Sequence, residues 1–143
     1  MTRMKPHKKL EVWKKGIELV RMIYKTVEKL PVREQFGLTS QIQRAAVSIP
    51  SNIAEGAGRQ TRKEFINYLH IAQGSLSELD THLEIAVAVK YLTENDLAEL
   101  YVVMDDIDKM LSGLIFSLKK QLTTHNLLLT SLSGGYENAG IES

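Results

Sequence analysis

Apolar residues recur along this chain at steps of three and four, and nowhere alternate in the period of two that marks a strand; the pattern predicts four long helices. The third and fourth are read most directly. Phe65, Leu69, Ala72, Leu76, Leu79, Leu83 and Ala86 form one seam, and Leu97, Leu100, Met104, Ile107, Leu111, Leu114 and Leu118 form another. In the first stretch, about Lys8 to Leu30, Trp13, Ile17, Val20, Tyr24 and Val27 trace one stripe, while Val12, Leu19, Met22 and Ile23 widen the apolar arc. An arc that wide needs two contacts, so Val12, Leu19 and Met22 are candidates for a subunit interface. The second stretch turns Leu38, Ile42, Ala45, Ala46, Ile49 and Ile53 inward.

Punctuation between the periods agrees with that division. Pro31 ends the first helix, because a residue before proline is driven out of the α region. Pro50 falls inside the second, where it removes a donor and crowds the carbonyl four residues back; a kink near Ala46 is expected, with Ser48 or Ser51 satisfying freed groups. Gly56 and Gly58 stop it. Thr61 and Glu64 form a capping box for the third helix, and Thr93 to Asp96 a turn that caps the fourth. Together these predict an all-α, antiparallel up-down-up-down four-helix bundle over residues 9–122, with an N-terminal arm over 1–8. From Thr123 onward no period is sustained, so 123–143 is expected to be a flexible tail.

Composition narrows the function classes. The chain has 143 residues, sized for one domain. It has no Cys, which excludes a disulfide scaffold, a thiolate metal site and a cysteine nucleophile, and suits a reducing cytoplasm. No apolar stretch is long enough to span a membrane, and the basic N-terminus lacks the apolar core of a signal peptide.

Net charge is only +1, yet it is segregated: residues 1–63 carry 14 Lys+Arg against 5 Asp+Glu, and residues 64–118 carry 2 against 10. A basic surface on a nearly neutral protein is the electrostatic footprint of nucleic-acid binding; the alternative is that basic helices simply neutralise acidic ones. The candidate contacts with RNA or DNA are Lys14, Lys15, Arg21 and Lys25, joined by Lys29, on the first helix, Arg44 on the second, and Arg59, Arg62 and Lys63 at the turn into the third. The last three lead, because a helix N-terminus already favours phosphate oxygens.

Catalytic chemistry finds no foothold. His7, His70, His82 and His125 include no pair with metal-ligand spacing; Glu78 and His82 are placed for a surface hydrogen bond. Asp105, Asp106 and Asp108 lack the glycine turn of a calcium loop, and Gly56 to Gly58 is too short to cradle a phosphate. No enzyme, metal site or cofactor is predicted.

The segment RAAVSIPSNIAEGAGRQTRKEFINYL, residues 44–69, resembles the 23S rRNA-intervening sequence proteins, and the resemblance extends over roughly residues 9–119. It implies an antiparallel four-helix bundle assembled as a homopentameric ring, some members being encoded within sequences that interrupt bacterial large-subunit rRNA genes. The family is also similar in fold to the accessory proteins of diversity-generating retroelements, basic pentamers that bind nucleic acid, from which this chain departs in its near-neutral charge. Within the matching motif Pro50, Asn52, Glu55, Gly56 and Arg59 stand out. They read either as a site at the end of the second helix or as groups that satisfy backbone around the proline. The two functions carried forward are a non-enzymatic homo-oligomer binding structured RNA through a local basic patch, and a scaffold for protein partners.

Overall fold

The computed structural model describes residues 5–132, and among these it contains four α-helices and no strand: α1 (Glu11–Thr26), α2 (Leu38–Ala57), α3 (Arg62–Ala88) and α4 (Glu94–Leu132), with short 3-10 turns at Pro6–Lys9, Val27–Lys29 and Val32–Glu34. The protein is all-α. Each helix packs against its sequence neighbours, α1 also packs against α4, and the most extensive contact is α2 on α3. Lys15 on α1 meets Asp106 on α4, and Lys29 in the turn after α1 meets Asp96 at the start of α4. Along α3 and α4, Arg62 meets Gln121, Gln73 meets Ser112, and Asp80 meets Tyr101.

Helix ends follow from local chemistry. Leu30 is extended before Pro31, as the proline requires. The Glu34 carboxylate accepts from the Leu38 amide at 3.0 Å and from the Tyr91 hydroxyl at 2.9 Å, which caps α2 and holds the Glu34 carboxyl below its ordinary range. Thr61 Oγ accepts the Glu64 amide at 3.1 Å, while its hydroxyl donates to the Glu64 carboxylate. At α4 the Thr93 and Asp96 side chains each accept the other's amide, a reciprocal box. Lys90 ends α3 with a positive φ of 69°, letting the Tyr91 and Leu92 amides fold back onto the Ala86 carbonyl.

The core lies between the four helices. α3 buries Leu69, Ala72, Leu76, Leu79, Leu83 and Ala86 as its seam predicts, with Ile66 taking the position assigned to Phe65. α4 follows its seam except that Ile115 replaces Leu114. α1 differs. Its buried residues are Val12, Gly16, Leu19 and Ile23, one step out of phase with the Trp13, Ile17, Val20, Tyr24 stripe, and Ile17 and Tyr24 are left 45% and 47% exposed. Val12 and Leu19 are therefore interior groups of the protomer and not surface for a subunit contact; Met22 is half-buried beside the groove between α1 and α4. Gly16 decides the phase, because a Cβ there would stand 3.3 Å from Pro50 Cβ and the wider stripe would not fit.

α2 runs unbroken through Pro50. Asn52 Nδ2 donates to the Ser48 carbonyl at 2.8 Å and to Ser48 Oγ at 2.9 Å, and Ser48 Oγ in turn meets Ser75 Oγ across the α2–α3 contact at 2.7 Å. At the other end of the chain α4 passes the boundary expected at residue 122 and remains helical through Leu132. The remainder of the tail, 133–143, and residues 1–4 of the arm lie outside the described residues.

Candidate nucleic-acid interface

The first helix was expected to supply a basic face, and most of that charge is locally cancelled. Lys14 pairs with Glu11 at 3.2 Å, Lys15 with Asp106 at 3.5 Å, Arg21 with Glu18, and Lys29 with Asp96. Solvent-exposed pairs add little stability, but each places a carboxylate where a phosphate would have to sit. Lys25 stands apart: it is exposed and has no ion-pair partner among the described residues.

The turn into α3 does not gather its three cations into one site. Arg59 is held by Glu55 and the Tyr68 hydroxyl, both at 2.6 Å, and its guanidinium lies 4.9 Å from the Tyr68 ring centre. Arg62 reaches instead to α4, donating to Gln121 at 2.8 Å. Lys63 is exposed, with no ion pair among the described residues. Glu64 completes the cap, so the amide that an anion would use is already occupied and a carboxylate stands beside it.

The motif around Pro50 resolves into packing groups. Pro50 is buried against Gly16, and Asn52 bonds to Ser48. Glu55 pairs with Arg59, and Gly56 lies against Tyr68 and Phe65. Asn52 thus satisfies backbone beside the proline, whereas Glu55 reaches only the Arg59 side chain. The acidic half of the chain likewise turns inward on itself: the Tyr101 hydroxyl bonds to Asp80 and Glu84, and partial burial with those carboxylates drives its phenol far above the usual range. Glu78 stands 4.0 Å from His82, beyond hydrogen-bond distance, so the surface hydrogen bond expected from their spacing is not formed. No group of three potential metal ligands gathers among the described residues.

Two groupings bring cations together with something the sequence did not pair them with. On the α1–α2 face Arg44 and Tyr24 line a groove of about 390 Å³ with Ser40, Gln43, Val47 and Ser48, and no carboxylate enters the lining. At the far end of α3, Arg62 shares a groove of about 400 Å³ with Ser117, Lys120, Gln121, Thr124, His125 and Leu128. Tyr24, Tyr68, Lys120 and His125 were absent from the predicted set. Tyr24 alone had a signal available, since exposure follows once α1 is rotated to bury Gly16 and Leu19.

Similarity to known proteins agrees with the helix pattern. The family model described as 23S rRNA-intervening sequence protein matches residues 8–113. The chain belongs to that family. A solved relative of this intervening-sequence protein is a protein of unknown function from the S23 ribosomal protein family of Bacteroides thetaiotaomicron; it is 32% identical, superposes with a TM-score of 0.66, and is matched over 97% of its own length and 73% of this chain. No curated protein matches the intervening-sequence protein. The family match ends within α4, so that the last part of this helix, 114–132, lies beyond it. No helix among the described residues is long and apolar enough to cross a membrane.

Proposed function

We propose that this intervening-sequence protein is a non-enzymatic, cytoplasmic homo-oligomer that binds structured RNA on its α1–α2 face. The observation that carries this reading is the groove shared by Arg44 and Tyr24, in which a guanidinium free of carboxylate neighbours adjoins a half-exposed aromatic ring. Arg44 suits phosphate oxygens bidentately, and Tyr24 offers a stacking surface for an unpaired base. Ser40, Gln43 and Ser48 add polar groups without sequence preference.

The helices in this reading alternate up and down, supported by contacts whose residue numbers rise on one helix as they fall on its neighbour. Family membership supports a ring of five copies, and Val102 and Phe116, 61% and 69% exposed and on one side of α4, supply apolar surface for such a contact. Five copies of a modest site raise affinity through effective concentration.

The test is binding to a structured RNA fragment between about 50 and 200 mM salt, with light scattering on the same sample. Affinity of the natural chain should fall steeply with salt. Arg44→Glu substitution should weaken binding and reduce the salt slope by about one contact while leaving the mass unchanged. Equal affinity in variant and natural chain would remove the RNA reading.

A further inference from the structure

Two ion pairs tie the first helix and its closing turn to α4. Lys15 lies 3.5 Å from Asp106, and Lys29 pairs with Asp96. From one contact to the other, residue numbers rise along the first segment as they fall on α4. Lys25, one turn back from Lys29, therefore comes level with Glu99, about one turn on from Asp96. That rung is open. Both side chains are exposed, and neither has an ion pair or hydrogen bond among the described residues. In place of a direct pair the helices leave a groove of about 580 Å³, and Lys25 and Glu99 both line it. That volume falls within the roughly 300–1,000 Å³ of small-molecule sites.

Charge narrows what the groove accepts. Glu18, Asp96 and Glu99 would repel a phosphate backbone, and Arg21, Lys25 and Lys29 would repel a polycation. The pairs Arg21–Glu18 and Lys29–Asp96 neutralise four of these groups. One ammonium on α1 and one carboxylate on α4 remain, and the floor between them is apolar: Leu100 is buried at 1% exposure and Met22 is half-buried beside it. We infer that this groove binds a small zwitterion, a free α-amino acid with an apolar side chain. Its carboxylate meets Lys25, its ammonium meets Glu99, and its side chain lies on Met22 and Leu100.

Size and energetics agree with that ligand. Arg21 and Lys29, both held in ion pairs, stand one turn to either side of Lys25, which leaves about 11 Å along the helix. One amino acid fits that length, whereas a longer peptide would run into the closed pairs. A single exposed ion pair adds little affinity. A zwitterion makes two with the loss of one molecule's freedom, and its side chain removes apolar floor from water. The site is separate from the groove of Arg44 and Tyr24, and it stands whether or not that face binds RNA.

The test is calorimetric titration of the full-length chain with leucine, methionine and phenylalanine, each added separately. At least one should bind saturably. The matching amine without the carboxylate, and the matching acid without the ammonium, should each bind about tenfold or more weakly. Lys25→Gln and Glu99→Gln, both at exposed positions, should each lower amino-acid affinity by a similar factor. A chain carrying Lys25→Glu and Glu99→Lys together should recover most of it, because the ligand can reverse its ends. No binding by any of the three at about 10 mM would overturn the proposal. Equal affinity for the acid alone would reduce the groove to an anion site, and undiminished binding by both Gln variants would place the amino acid elsewhere; either result overturns the assignment. So would a charge-exchanged chain that keeps natural circular dichroism but does not bind.

Discussion

Gly56 on α2 lies directly against Tyr68 on α3. A Cβ at position 56 would stand 2.7 Å from Tyr68 Cβ and 2.9 Å from Phe65 Cδ1, and the Phe65 carbonyl is 3.3 Å away. Tyr68 Cβ moves only with its backbone, so relief requires the two helices to separate. Gly56→Ala should therefore cost about 1–3 kcal/mol, the range for overpacking a tight contact, despite alanine's better helix propensity. Urea denaturation measures it, and an unchanged midpoint would show that α3 yields easily.

The phase of α1 separates two substitutions, one at Leu19 and one at Ile17. Leu19 is fully buried and Ile17 is 45% exposed. Leu19→Ala should lose about 2–5 kcal/mol, and Ile17→Ala under about 1 kcal/mol. Comparable losses at both positions would restore the phase drawn from the Trp13, Ile17, Val20, Tyr24 stripe.

Asp96 should leave a mark on acid stability. The Lys29 ammonium, followed by the Thr93 amide, lowers its carboxyl to about 2. The unfolded chain, with an ordinary carboxyl near 4, binds that proton at higher pH than the folded chain does. The contribution is thus complete above about pH 4 and is lost as pH falls toward 2. Thermal midpoints of the natural chain and Asp96→Asn should diverge above pH 4 and converge near pH 2; parallel curves would dissociate Asp96 from the acid transition.

Lys90 holds a left-handed backbone conformation that glycine adopts without crowding a side chain. Lys90→Gly should raise stability by about 0.5–1 kcal/mol, the relief of the left-handed strain less the added freedom of the unfolded chain. A lowered melting temperature would mean that the Lys90 side chain contributes contacts of its own.

The seams of α3 and α4 were legible because one narrow stripe faces one interior, and their caps were legible because Thr61, Glu64, Thr93 and Asp96 act within a single turn. α1 was not, since apolar residues occupy enough of its circumference to allow either phase, and the choice depends on Gly16 meeting Pro50 from another helix. The continuation of α4 was hidden by Thr123, Thr124 and Asn126, which interrupt the composition of a helix while the seam persists beneath them. The site suffered most. Whether Lys14, Lys15 and Arg21 form a basic face depends on Glu11, Asp106 and Glu18, and the union of Arg62 with Lys120 joins residues far apart in the chain.

The hydroxyl pair of Ser48 and Ser75 sits among the leucine, isoleucine and alanine side chains that α2 and α3 bury. Apolar side chains tolerate sliding, because one methyl contact replaces another. A hydroxyl pair does not: a shift of one turn, about 5.4 Å, would leave Ser48 with its Asn52 bond but strand Ser75 against hydrocarbon, at a cost of about 1–3 kcal/mol. The pair thus works as a vernier on that contact, fixing the register of α2 against α3.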